Sequence, residues 1–314
     1  MLLFWVIVFI VSLTTLVKSA DWLLDGAEKI SLATGLSSFV VGIVIVGLGT
    51  SFPELVSSLV AVFKDVTEIV PANAVGSNIA NILLVVGLSA LVSRRLAVTK
   101  SLIELDLPLL AGSTVLFLGV AWDRQITLAE SIFLLVLFVV YLTYIILHKD
   151  SEERETPLKK RAKRPKIIGK DILLVIVGII GLAVGAKFLI DSVIELSGIL
   201  AIGAGTISLA AIAFGTSLPE LIVSLKAAWQ RKPEIALGNI FGSNVFNILL
   251  VIGIPGLFKT LIVDEKTFTL GIPVLIVATL LFIISGISRK IYAYEGAIYF
   301  IIYIFFIGKL FGFL

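Results

Sequence analysis

Apolar residues fill this chain in runs of about 20, the length that crosses the hydrocarbon core of a bilayer, divided by short polar turns. Ten such runs are predicted as helices, near residues 2–18, 35–63, 69–92, 102–121, 127–147, 171–191, 200–227, 236–257, 268–287 and 295–313. The second and seventh are long and interrupted by Gly-Thr-Ser-x-Pro-Glu, the third and eighth by Gly-Ser-Asn. One stretch, 148–170, is strongly polar, contains KDSEERETPLKKRAKRPK and has no apolar period, so it reads as a flexible linker. The first run has no basic leader and no small-x-small cleavage site, which marks a retained helix and not a signal peptide.

The polar interruptions occur twice. Residues 47–58 read GLGTSFPELVSS and residues 213–224 read AFGTSLPELIVS; NAVGSNIANILLVVG at 73–87 returns as NIFGSNVFNILLVIG at 239–253. One offset of 166 maps Gly49, Thr50, Ser51, Pro53, Glu54, Ser77, Asn78 and Asn81 onto Gly215, Thr216, Ser217, Pro219, Glu220, Ser243, Asn244 and Asn247, and Asp25 onto Asp191. Further on the offset is 165, pairing Pro108 with Pro273 and Glu130 with Glu295. Each half therefore holds five spans, 1–147 and 171–314, joined by the linker. Because five is odd, the second half starts on the opposite side and runs in the opposite sense, giving inverted repeats. The expected fold class is all-α integral membrane, with ten transmembrane helices as two inverted five-helix repeats.

Composition agrees. Hydrophobic residues make up 59% of the 314 and mean hydropathy is +1.13, against about 45–50% apolar in soluble chains. Ten spans leave little chain for a soluble domain. With no cysteine there is no disulfide or thiolate site, and the single histidine, His148, reads as a loop residue at a span end. The net charge of +3 sits in loops and reads as topology, not nucleic-acid binding. With the linker inside, 19 of the 25 basic residues lie inside: Lys18, Lys29, Arg94, Arg95, Lys100, the nine from Lys149 to Lys170, Lys226, Arg231, Lys232, Arg289 and Lys290. Lys64, Arg124, Lys259, Lys266 and Lys309 lie outside, and Lys187 falls within a span. This bias predicts a multi-pass cell-membrane protein with a cytoplasmic linker and both termini outside.

The repeated residues carry oxygen chemistry. Thr50 and Glu54, four apart, share a helix face, as do Ser77 and Asn81 on the next span. Thr216, Ser217, Glu220, Ser243 and Asn247 repeat the set. Oxygen-only ligation suits hard cations such as Na⁺, Ca²⁺ and Mg²⁺. Pro53 and Pro219 remove backbone donors and free carbonyls one turn earlier, near Gly49 and Gly215. Unpaired backbone is tolerable at this depth only where it lines a cavity or binds an ion. Gly47, Gly49, Ala213 and Gly215 allow close helix approach. A proline kink, a serine bonded back to its own helix or a lone buried glutamate each has an ordinary structural explanation; two matched sets in fixed register do not. Asp25 and Asp191 read as solvated span-end residues, and Glu104, Asp106, Glu130 and Glu295 as interfacial or helix-start charges.

At these motifs, GTSFPE with GSNIAN and GTSLPE with GSNVFN, the sequence resembles the calcium/cation antiporter superfamily, specifically prokaryotic sodium/calcium exchangers, over nearly its whole length. The resemblance implies alternating access around the second, third, seventh and eighth helices, with the first and sixth sliding as a gate. It implies Glu54 and Glu220 as central calcium ligands, assisted by Thr50 and Thr216. Ser51, Ser77, Ser217 and Ser243 match sodium ligands, Gly47 and Ala213 match positions whose carbonyls face sodium, and Asn81 and Asn247 match the remaining central pair. Some relatives, including potassium-dependent ones, carry Asp where Asn247 stands, so the amide argues against potassium co-transport. Three sodium ions per calcium is the family expectation, moving one net charge worth about 2.3 kcal/mol per 100 mV. The expected substrates are Ca²⁺ and Na⁺, with no cofactor, no nucleic-acid partner and a functional monomer in the lipid bilayer.

Three other readings stand beside this one. Proton/calcium exchange would use the same two glutamates, but would not need four hydroxyl ligands. A passive cation channel would bind Ca²⁺ too tightly at a central acidic pair unless sites were stacked. An intramembrane enzyme would need a nucleophile–base pair or metal triad, which does not accompany the acids, so the chain reads as no enzyme.

Overall fold

The computed structural model describes residues 2–97, 107–147, 167–199 and 215–314. Its helices are α1 (Leu2–Thr34), α2 (Ser38–Phe63), α3 (Ile69–Ser93), α4 (Leu107–Val120), α5 (Leu128–Leu147), α6 (Gly169–Ile199), α7 (Leu218–Trp229), α8 (Pro233–Gly256), α9 (Thr267–Ile287) and α10 (Ala293–Leu310). Eight of these are long and apolar enough to cross a membrane; α4, with 14 residues, and α7, with 12, are shorter. Glu104, Asp106, His148, most of the 148–170 linker, Ala213 and the start of the expected seventh span lie outside the described residues.

The first and sixth helices run well past the ends predicted for them. The charged segment from Lys18 to Lys29 reads as loop in sequence, yet α1 continues through it to Thr34. It stays helical because its charges occupy one side. Lys18, Asp25 and Lys29 are exposed while Ser19, Ala20, Leu23, Leu24, Gly26 and Ala27 are buried, the spacing of an amphipathic helix. Three ion pairs hold this extension: Asp21–Lys226 at 2.7 Å, Glu28–Lys232 at 2.6 Å and Lys29–Asp171 at 3.4 Å. α1 and α6 pack antiparallel, with Leu23 against Gly178, Ser19 against Gly181 and Leu16 against Gly185.

The helices that carry the Gly-Ser-Asn motifs are the innermost. α8 is 94% buried across its most apolar stretch and α3 78%, whereas α1 is 17% buried. Large apolar side chains such as Leu3, Ile284 and Ile301 are turned outward. This inverts a water-soluble fold and suits a lipid surround, where hydrocarbon accepts leucine and isoleucine but not an unpaired amide. One core joins α3, α4, α5, α8, α9 and α10; a second joins α1 and α6 to parts of α2, α7 and α8.

Two short antiparallel ribbons tie the loops. β1 (Arg95–Ala97) pairs with β4 (Lys290–Tyr292), Arg95 opposite Tyr292; β2 (Gln125–Ile126) pairs with β3 (Leu261–Ile262), Gln125 opposite Ile262. Sequence reading had no room for them, since two or three residues carry no periodic signal. The repeat extends into the turns. Asp65 and Arg231, and again Arg124 and Arg289, are left-handed non-glycine residues with φ between 57° and 64°, at the offsets of the motifs. Glu130 and Glu295 start helices as expected: the Thr127 N–H donates to Glu130 Oε2 and the Tyr292 N–H to Glu295 Oε2, both at 2.8 Å.

α2 and α8 touch through backbone. A methyl group at Gly238 would lie 2.5 Å from the Phe39 carbonyl oxygen, and one at Gly242 2.8 Å from that of Ile43. Gly238→Val is expected to lower the melting temperature of the detergent-solubilised protein, at an overpacking cost of about 1–3 kcal/mol. Gly119→Ala, at an exposed position with nothing within 4 Å among the described residues, is expected to leave it within about 0.5 kcal/mol of wild type. Equal melting of the two variants would show that the α2–α8 contact is not tight.

Candidate functional site

α2 breaks at Ser51. Its backbone angles there, φ −82° and ψ 2°, leave the helical range, and a new helical segment runs from Phe52 to Phe63. Ser217 adopts φ −86° and ψ 3° immediately before α7, so the two halves break with the same backbone at equivalent positions. Pro53 and Pro219 follow inside the first turn, where a missing N–H costs nothing. That turn also holds Glu54 and Glu220, which places both carboxylates at the positive end of a helix dipole. Gly49 lets α6 pass close: a methyl there would sit 2.6 Å from Ile179 Cδ1.

Widened turns flank the breaks. Residues Gly42–Gly47 of α2, Ala80–Val86 of α3 and Asn247–Val251 of α8 are wound with i→i+5 hydrogen bonds. Such turns recur at functional sites because they shift side chains out of the regular register. Asn81 and Asn247 sit at the starts of two of them.

The described motif side chains fall into linked groups. Ser51 Oγ donates to Glu220 Oε1 at 3.1 Å, and the single hydroxyl proton of Ser243 has two acceptors, the same carboxylate oxygen at 3.4 Å and the Gly47 carbonyl at 3.3 Å. Thr50 Oγ1 lies 3.4 Å from Ser243 Oγ and 3.2 Å from the Gly47 carbonyl. Ser77 and Thr216 hydroxyls lie 3.4 Å apart. Asn247 Nδ2 donates to Asn78 Oδ1 at 3.0 Å, and Asn78 Nδ2 to the Asn244 carbonyl at 3.0 Å. Glu54 and Glu220 are fully buried, and Ser51, three residues before Glu54, links the two through its bond to the Glu220 carboxylate.

Several oxygens in this region are buried without a hydrogen-bond partner: both carboxylate oxygens of Glu54, Oε2 of Glu220, Ser217 Oγ, and the amide oxygens of Asn81, Asn244 and Asn247. Orphaned polar atoms are costly away from water. A set of convergent orphaned oxygens carrying two carboxylates fits a hard cation. No group of three or more His, Cys, Asp or Glu residues occurs among the described residues, so hydroxyl, amide and carbonyl oxygens must complete any coordination shell.

Sequence reading missed residues that join the motifs. Asn239 Nδ2 donates to Ser224 Oγ at 2.8 Å and to the Glu220 carbonyl at 3.3 Å, while its Oδ1 accepts from Thr50 Oγ1 at 2.9 Å. Asn73 repeats this in the other half: three acceptors surround its two N–H groups, Ser58 Oγ at 3.3 Å, Ser57 Oγ at 3.4 Å and the Glu54 carbonyl at 3.4 Å, and its Oδ1 accepts from Thr216 Oγ1 at 3.3 Å. The 166 offset that pairs Asn73 with Asn239 and Ser58 with Ser224 was the available signal.

The family described as sodium/calcium exchanger protein matches residues 4–147 and again residues 170–311. The chain is 34% identical to inner membrane protein YrbG of Escherichia coli over 87% of its length and 86% of that protein's. It is 30% identical to sodium/calcium exchanger MaX1 of Methanosarcina acetivorans over 97% of its length and 98% of that protein's. A solved structure of the sodium-calcium exchanger NCX_Mj superposes with a TM-score of 0.85 at 29% identity, covering 99% of this chain and all of the other. The chain therefore belongs to the sodium/calcium exchanger family, among the prokaryotic members of the calcium/cation antiporter superfamily, and is a membrane transporter, not an enzyme.

Proposed function

We propose that this protein exchanges Na⁺ for Ca²⁺ by alternating access at a midplane site shared by two inverted halves, 1–147 and 171–314. The observation that carries the reading is the pair of fully buried glutamates, Glu54 and Glu220, surrounded by orphaned amide and hydroxyl oxygens. Two carboxylates hold a charge of −2, which one Ca²⁺ neutralises. Sodium ions compete for the same carboxylates from neighbouring oxygens of Thr50, Ser51, Ser77, Asn81, Thr216, Ser217, Ser243 and Asn247 and the carbonyls of Gly47 and Ala213. Shared ligands make the two substrates mutually exclusive, which enforces exchange. The protein needs no cofactor and works as a monomer.

Ten transmembrane helices in two inverted repeats are supported by the turns and ribbons. The 165 offset carries β2 onto β4 and β1 onto β3, so it exchanges one ribbon for the other. An axis in the membrane plane would put the two ribbons on opposite faces. The antiparallel packing of α1 on α6 agrees, as does a family match that covers each half separately. Among the described residues, ion pairs join helix ends and loops that ten alternating spans bring to one side. Asp65 meets Lys259 and Arg124 meets Glu265 on one face, while Asp21, Glu28 and Lys29 meet Lys226, Lys232 and Asp171 on the other. The second face carries the basic excess and would be cytoplasmic, with the linker; both termini would lie outside.

Calcium-45 uptake into proteoliposomes under imposed Na⁺, K⁺ or H⁺ gradients tests the function. Glu54→Gln and Glu220→Gln are each expected to abolish sodium-driven uptake while the protein still purifies as a folded monomer; near-normal exchange by both would overturn the site. Single cysteines test the topology in this cysteine-free chain. Arg95→Cys and Tyr292→Cys should react with impermeant maleimide only from the cytoplasmic side, Gln125→Cys and Ile262→Cys only from outside, and the opposite pattern reverses the orientation.

Ion choice has its own test. With Asn247 neutral, calcium uptake under a sodium gradient is expected to be equal with potassium present or replaced by choline. Loss of uptake without potassium refutes this, and uptake that follows only a pH gradient in sodium-free medium establishes proton/calcium exchange instead.

A further inference from the structure

A hydroxyl group has one proton and two lone pairs, and it ligates a cation only through a lone pair. Thr50 and Thr216 therefore serve the site only if something takes their protons elsewhere. The Asn239 amide can do this for Thr50. Its Nδ2 is committed to Ser224 Oγ and to the Glu220 carbonyl. A carbonyl only accepts, so the amide orientation is fixed and Oδ1 faces Thr50 Oγ1 at 2.9 Å. Thr50 has a second acceptor in the Gly47 carbonyl, but at 3.2 Å. Giving its proton to Asn239 leaves that carbonyl, and the Thr50 lone pairs, for the site. In the other half Asn73 is anchored on the Glu54 carbonyl and the hydroxyls of Ser57 and Ser58, and accepts from Thr216.

The wiring crosses the repeats. Asn239, beside Glu220 in the second half, aims the threonine of the first half; Asn73, beside Glu54 in the first, aims that of the second. We infer that Asn73 and Asn239 are positioning residues, each turning the threonine proton of the opposite half away from the cation so that the hydroxyl oxygen can ligate it. The side chain must both donate and accept at once. Aspartate could accept from threonine but could not donate to the glutamate carbonyl, and it would add a third charge.

This inference rests on the exchanger reading above, and a mutant cycle separates the two. Calcium uptake by proteoliposomes under a sodium gradient is measured against external calcium for Asn239→Ala, Thr50→Val, Thr216→Val and the two double variants. Asn239→Ala is expected to raise the half-saturating calcium by about ten-fold, the size of one lost buried hydrogen bond, with a smaller change in maximal rate. In the Thr50→Val background its effect should shrink, since the threonine it aims is gone and only its anchoring bonds to Ser224 and the Glu220 carbonyl remain to be lost. In the Thr216→Val background its effect should multiply in full. Should Asn239→Ala fail to fold, the half-buried twin Asn73→Ala is expected to have a smaller effect on Thr216→Val and to multiply in full with Thr50→Val. Equal multiplication in both backgrounds means a general packing role and overturns this inference alone. A wild type that takes up no calcium overturns the exchanger reading and this inference with it.

Discussion

Two carboxylates at the depth of hydrocarbon constrain everything else in this molecule. Glu54 and Glu220 are fully buried, and among the described residues neither has a lysine or arginine as a hydrogen-bond partner. In water such groups would be solvated; here their environment must come from the protein and from what it carries. The central helices α2, α3, α7 and α8 supply hydroxyls, amides and two helix N-termini. The remaining helices screen them from lipid with leucine, isoleucine and phenylalanine. That α8, which carries Asn239, Ser243, Asn244 and Asn247, is also the most buried span follows directly.

Duplication explains how one short sequence motif builds a closed shell. Each broken helix presents its glutamate in the first turn after a serine with nearly the same backbone angles, and Ser51 at one break reaches the Glu220 carboxylate at the other. The side chains are less symmetric than the backbone. Glu220 accepts from Ser51 and Ser243, whereas the carboxylate of Glu54 and the hydroxyl of Ser217 have no partner. On the alternating-access proposal, two halves of related sequence in unequal arrangements are what is expected, because the inward and outward states of inverted repeats differ by exchanging the halves' conformations.

Much of this was legible in sequence because hydrocarbon leaves few options. Runs of about 20 apolar residues become helices, and polar residues inside them stand out against the background, so the motif residues and the helix-start roles of Glu130 and Glu295 could be read directly. The signal failed where charge is compatible with two environments. Lys18 to Lys29 looked like a loop because it is charged, but ion pairs to α6, α7 and the start of α8 let it remain helix. Asn73 and Asn239 stood in the repeated strings yet drew no attention, since an uncharged amide in a repeat is compatible with plain packing. Their role depends on which neighbour receives each N–H, and that is a property of three dimensions. The widened turns at Asn81 and Asn247 have no side-chain signature at all.

The neutral amide at position 247 illustrates how far the surroundings decide a ligand. Asn247 donates from Nδ2 to Asn78 Oδ1, and Asn78 is itself fixed by donating to the Asn244 carbonyl. This chain of donors leaves Asn247 Oδ1 as a neutral orphaned oxygen. An aspartate there would set a carboxylate oxygen against Asn78 Oδ1, acceptor against acceptor, and Asn78 could relieve the clash only by surrendering its bond to the Asn244 carbonyl. The orientation of Asn247 is thus set by a donor network that extends to Asn78 on α3. A change in ion preference through a third acid would require Asn78 to change its hydrogen bonding as well as Asn247 to change its charge.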